Sequence, residues 1–110
     1  MAAEQAIAEV FTDAGIQHYA GADSFALWGA FCGYGVDYAL LGTATGDIVV
    51  DVLYNGADIA TYGVVTFDNG LVSVNTDTCE ALGLDIDEIE AAFSGLATGF
   101  TRLETAQEFE

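Results

Sequence analysis

The stretch from Gly46 to Asn75, GDIVVDVLYNGADIATYGVVTFDNGLVSVN, constrains the fold more than any other part of the chain. It holds two Asn-Gly pairs, Asn55-Gly56 and Asn69-Gly70, each set between runs rich in Val, Ile and Tyr. Asn-Gly favours a two-residue hairpin because both central residues need positive φ, which Gly and Asn tolerate best. Centring a turn on each pair predicts a register. Phe67 faces Val72 and Val65 faces Val74 across the second turn, while Val52 faces Ile59 and Val50 faces Thr61 across the first. Residues alternate between the faces of a strand, so both hairpins put their apolar rows on one side. Thr66, Ser73, Asp51 and Asp68 fall on the other, together with Val49, Leu53, Tyr62 and Val64. Those last four are too apolar for a fully wetted face, so either a helix or a second copy of the chain, as a homodimer, should cover them.

The flanks supply the rest of the expected fold. Ile7, Val10, Phe11 and Ala14 fall at i, i+3, i+4 and i+7, which predicts an amphipathic helix over 2–14 stopped by Gly15. A second, buried helix is expected from an N-cap at Asp23 or Ser24 through Cys32, ending at Gly33-Tyr34-Gly35. That glycine pair is no dinucleotide fingerprint, because Tyr38 stands where the third glycine belongs. Residues 37–42 read as a first strand leading into the meander. Asp77-Thr78-Cys79-Glu80 has capping-box spacing before a turn at Gly83. Asp85-Ile86-Asp87-Glu88 opens a helix to about Ser94, with Ile86, Ile89 and Phe93 pointing inward. Residues 96–103 fit either an edge strand or a helix. The expected fold is therefore one α+β domain over 1–110: two N-terminal helices, a four-stranded antiparallel β-meander and an acidic C-terminal helical segment.

Charge bounds the function. Eighteen acids stand against one base, Arg102, for a net charge of −17, although 53% of the residues are hydrophobic. Such a field repels phosphates and excludes a nucleic-acid binder built on Lys and Arg. No run approaches the ~18 apolar residues of a membrane span. The opening MAAEQAIAEV lacks the basic start of a signal peptide, which leads us to expect a cytoplasmic protein. Cys32 and Cys79 suit reduced, buried thiols. His18 has no patterned partner, and no nucleophile motif, metal-ligand spacing or EF-hand loop is present, so we expect no catalysis, no metal and no cofactor.

Carboxylates spaced ~6.8 Å along a strand face, or ~5–6 Å along a helix, are comparable with neighbouring phosphates on one strand. Asp77, Glu80, Asp85, Asp87, Glu88 and Glu90 form the densest such group on an expected rigid element, with Glu104, Glu108 and Glu110 in the tail. In its size, its acid-to-base ratio and this acidic helix, the chain resembles small acidic phage-type inhibitors, including anti-CRISPR proteins and other DNA mimics. The resemblance implies a stoichiometric inhibitor, not an enzyme, whose six clustered acids occupy the basic nucleic-acid-binding surface of a nuclease or surveillance complex. The alternative is a soluble domain adapted to a salt-rich cytoplasm, where Asp and Glu replace Lys.

Overall fold

A computed structural model describes residues 2–67 and 70–106. The chain divides into two compact units, Met1–Gly35 with Gly70–Glu110, and Val36–Asn69.

The first unit contains the sheet, whose strands run β1 (Tyr19–Ala20), β2 (Cys32–Gly35), β3 (Leu71–Asn75) and β4 (Gly99–Leu103), in that spatial order. β1 and β2 are parallel, β2 and β3 antiparallel, and β3 and β4 parallel. The helices of this unit are α1 (Ala2–Asp13), α2 (Asp23–Leu27), α4 (Thr76–Ala81) and α5 (Ile86–Phe93). The architecture is α+β with a mixed sheet, which corrects the expected antiparallel meander.

β3 shows why the meander fails. Val72 lies between Tyr34 and Phe100, Ser73 between Gly33 and Thr101, and Val74 between Cys32 and Arg102. Both edges of β3 are thus occupied, which leaves no edge for Phe67, Thr66 or Val65. The Asn69-Gly70 turn itself lies partly outside the described residues, as does Asp68. Alternation along β3 puts Val72 and Val74 on one face and Ser73 and Asn75 on the other. Val72 and Val74 join Phe31, Cys32 and Cys79 in the buried core, under Leu82, Leu84, Ile86, Ile89, Phe93 and Phe100. The opposite face is lined by small side chains, including Gly33, and lies against the Gly21–Ala22 loop and α2. Both cysteines are free and buried, and burial pushes the Cys32 thiol up to about 11.

Local signals set the helix ends in this unit. Gly15 and Gly83 sit at φ +69 after α1 and α4. The caps differ from those expected at two places: α2 begins from Ala22 without a side-chain cap, and α4 from Asn75 rather than Asp77. α2 is also short. Phe31 and Cys32, expected inside it, belong to the approach and first residue of β2. In α1 the buried residue is Ala8, while Ile7 and Val10 are exposed. His18 Nδ1 lies 3.3 Å from Glu4 Oε1, and the ring tilts against Phe11.

The second unit is built on α3 (Tyr38–Leu53), followed by a 3-10 turn at Ile59–Thr61. The strands expected over 37–42 and 46–54 are this one helix. Asp37 caps it, accepting from the Ala39 and Leu40 amides at 3.0 and 3.1 Å. Its end explains the other Asn-Gly pair. Gly56 has φ +73, but Asn55 does not share the positive φ that a type I′ hairpin requires. Instead the Asn55 amide donates to Val50 O and its side chain to Asp51. The pair closes a helix, because a left-handed glycine just past the last turn is as common a stop as it is a hairpin centre.

The corrected packing moves the sensitive positions. Val72→Ala, at a fully buried site, should cost about 2 kcal/mol. Val65→Ala, at a site 62% exposed, should stay within roughly 0.5 kcal/mol. Urea unfolding of the two variants checks the difference, and equal losses would contradict this packing.

Candidate functional site

The six acids singled out from the sequence are carried by α4, α5 and the link between them, but several already have partners. Asp77 Oδ2 accepts the Thr105 amide at 2.8 Å, pinning the segment after β4. Asp85 caps α5 by accepting from the Asp87 amide at 2.8 Å. Asp87 and Glu90 converge on Arg102 of β4, through Nη2 for Asp87 at 2.6 Å and through both Nε and Nη2 for Glu90. These hydrogen bonds, to Glu90 first and Asp87 second, hold the guanidinium above its ordinary value. Glu80 and Glu88 are exposed. The structure therefore spends four of the six acids on internal contacts, all of them between groups that remain partly open to solvent. Among the described residues, no three His, Cys, Asp or Glu side chains gather where a metal could be held. No helix among them is long and apolar enough to cross a membrane.

A different site emerges at the edge of the sheet where β1 and β2 end and β3 and β4 begin. Open α/β sheets bind ligands beyond the carboxyl ends of their parallel strands, where loops leave the sheet and backbone groups face outward. Here the loop Gly21–Ala22 runs directly over β2. A Cβ on Gly33 would stand 2.2 Å from Ala22 O, and one on Gly35 would stand 2.8 Å from Gly21 O. Only glycine at both positions allows that approach. The close approach sets Asp23 and Ser24 at the rim, with Asp23 Oδ1 accepting the Ser24 amide at 2.7 Å. On the opposite face of β2, Tyr34 is half exposed, its hydroxyl only 2.7 Å from the place a Gly70 Cβ would take. Thr98 ties the start of β4 to Gly70, its amide donating to Gly70 O at 3.0 Å and its Oγ1 accepting the Gly70 amide at 3.3 Å. The result is a backbone-rich end of the sheet with the Asp23 carboxylate and the Ser24 and Thr98 hydroxyls, and with the Tyr34 ring on the other face.

A concavity of about 250 Å3 lies elsewhere, lined by Glu9 and Asp13 of α1 with Trp28, Gly29, Thr78 and Thr105 among others. It adjoins the opposite end of the sheet, where Asn75 and Thr105 lock α2, α4 and the C-terminal segment together.

Sequence reasoning missed the Gly21–Ser24 edge. Its one signal was Gly33-Tyr34-Gly35, which fails as a nucleotide motif. The glycines mark a close backbone crossing instead.

Neither a family model nor a curated protein matches the chain. Solved structures do resemble it. One is the ligand-free, open form of a substrate-binding protein with adhesive properties from Clostridium difficile, at a TM-score of 0.71 and 22% identity over 96% of this chain. Another is an ABC domain in complex with L-Trp from Streptococcus pneumonia, at a TM-score of 0.59 and 26% identity over 86% of this chain. The chain spans about a third of the length of each, 32% and 31%.

Proposed function

We propose that the first unit offers a small-solute-binding edge of the substrate-binding-protein kind, selective for a solute that carries an ammonium group, as an amino acid does. The observation that carries this reading is the Gly21–Ser24 loop, laid over Gly33 and Gly35 at the carboxyl ends of β1 and β2. The crossing holds the loop backbone at that end of the sheet, Asp23 supplies the counter-charge, and Ser24 and Thr98 supply hydroxyls. The likeness to a substrate-binding protein and to a domain holding L-Trp supports the same reading. Binding of this kind needs no catalytic group.

The test is an amide-resonance titration with a panel of amino acids that includes L-Trp, taken to about 10 mM, since an edge without a closing partner binds weakly. Shifts should gather at Gly21–Ser24, Tyr34 and Thr98. Asp23→Asn keeps an acceptor for the Ser24 amide but removes the charge, and should weaken binding roughly tenfold, the weight of one charge-assisted hydrogen bond. No shift with any amino acid, or shifts confined to the Glu9–Asp13 cleft, would refute the assignment.

A second reading, an acidic inhibitor that blocks a basic nucleic-acid-binding surface, draws support from the exposure of Glu80, Asp85, Asp87 and Glu88 and from the net charge of −17. It requires the chain to displace duplex DNA from a Lys/Arg-lined nuclease groove. It also requires Glu80→Lys with Glu88→Lys to remove that displacement. DNA that stays bound under excess chain would rule it out.

A further inference from the structure

We propose that the cleft beside α1 binds a short aliphatic diamine, at a site distinct from the Gly21–Ser24 edge and independent of the substrate-binding reading. Its walls come from parts of the first unit that are fixed against one another. Ala8 of α1 is 4% exposed, and a Cβ on Gly29, at φ +110, would stand 3.2 Å from the Ala8 Cβ. That close contact seats α1 on the turn after α2. Thr78 of α4 donates from Oγ1 to Gly29 O at 2.9 Å, tying the same turn to a third element. Thr105 is held by its amide on Asp77 and its hydroxyl on Asn75. The space between these parts, about 250 Å3, is smaller than a drug-sized pocket and fits a small solute.

The charge of the cleft is one-sided. Glu9 and Asp13 both line it, and they stand four residues apart on α1, which puts their Cβ atoms about 5–6 Å from each other on one helix face. Neither pairs with a basic side chain, because the chain has no lysine and its one arginine is bound to Asp87 and Glu90. Asp13 also ends α1, where the helix carbonyls already carry negative potential and the last turn holds no base. Two like charges at this spacing and at this end of a helix are destabilising until a cation joins them.

The lining selects the kind of cation. A hard metal ion needs a nearly complete shell of oxygen ligands, and among the described residues no three His, Cys, Asp or Glu side chains gather to supply one. An amino acid fits poorly, since the lining contains no base to meet its carboxylate. Trp28, only 8% exposed, lines the cleft, and an indole favours both a methylene chain and an ammonium group. The Thr78 hydroxyl, whose proton goes to Gly29 O, keeps lone pairs that accept from an ammonium. Two carboxylates on one face match two ammonium groups joined by a short alkyl chain.

The test is an amide-resonance titration of the whole chain with diaminobutane to about 10 mM. It is run at ~0.15 M salt, where the screening length is ~8 Å and remote acids count for little. Shifts should saturate and gather at Glu9, Thr12, Asp13, Gly29 and Thr78. Asp13→Asn should weaken binding about tenfold, and Asp13→Asn with Glu9→Gln roughly 100-fold, one charge-assisted hydrogen bond each. Both substitutions relieve repulsion at the end of α1, so lost binding is not lost folding. Asp47→Asn, which removes a charge from the second unit, should leave the affinity within about twofold. Butylamine, with one ammonium, should bind about tenfold more weakly than the diamine. Equal losses for Asp13→Asn and Asp47→Asn, equal affinity for the two amines, or shifts that never saturate would overturn the proposal. So would diamine shifts at Gly21–Ser24 in place of the cleft. Failure here is separable from failure of the amino-acid reading, because the two ligands report on different residues.

Discussion

Asn75→Ala should lower the stability of the first unit by about 3 kcal/mol, from the loss of a helix cap and the stranding of buried polar groups. Asn75 is fully buried at the end of β3 and works in three directions. Its Oδ1 accepts the Thr78 amide at 2.9 Å, capping α4. Its Nδ2 donates to Ala26 O of α2 at 2.7 Å and to Thr105 Oγ1 at 2.8 Å. Alanine leaves the buried Thr78 amide, the buried Ala26 carbonyl and the half-buried Thr105 hydroxyl without this partner. A graded series separates the parts. Asn75→Ser restores a capping oxygen and should recover about 1 kcal/mol. Asn75→Asp keeps the cap but turns an acceptor toward the Ala26 carbonyl, and should recover nothing at neutral pH. Chemical unfolding ranks the four proteins, and an alanine variant within 1 kcal/mol of the parent would show that the network is not holding the helices.

Gly33→Ala should be at least as severe, and it should also disable the candidate site. The added methyl would meet Ala22 O at 2.2 Å, Ala22 C at 2.8 Å and Asp23 Cα at 3.1 Å. All three are backbone atoms, so no rotamer relieves the clash and the loop over β2 must move. Overpacking of well-fitted sites costs roughly 1–3 kcal/mol and more where the backbone resists. Gly70→Ala gives the contrast. Its nearest neighbour is the Tyr34 hydroxyl at 2.7 Å, the far end of a side chain that is half exposed and can swing away. Gly33→Ala should therefore unfold the first unit or abolish ligand-induced shifts at Asp23 and Ser24. Gly70→Ala should do neither. Equal behaviour of the two variants would remove the close loop crossing as the basis of the site.

The structure commits Asp85 to a cap, Asp77 to the Thr105 amide, and Asp87 with Glu90 to Arg102. These are local uses that a count of carboxylates does not reveal. The charge is a property of composition. Which carboxylates stay available for a partner is a property of the fold.

What the sequence determined by itself were the features whose physics is local. Asp85 followed by Ile86, Ile89 and Phe93 carries its own cap and its own period, and α5 forms there. Gly15 and Gly83 stop helices because an L side chain resists their positive φ. The apolar richness and the acid excess are likewise compositional. Three matters only the tertiary structure decided. Gly56 needs positive φ in a hairpin and in a helix stop alike, so Asn55-Gly56 could not say which it was. Residues 46–54 satisfy a strand's alternation and a helix's stripe at once, and tertiary contacts override so weak a preference. β2 has two glycines in four residues and no strand signal of its own. It becomes a strand because β1 and β3 bring partners for its backbone from distant parts of the chain, and because Gly33 and Gly35 leave room for the loop that crosses it. Pairing between segments so far apart is written in no local window, which is why the candidate edge became visible only once the chain was folded.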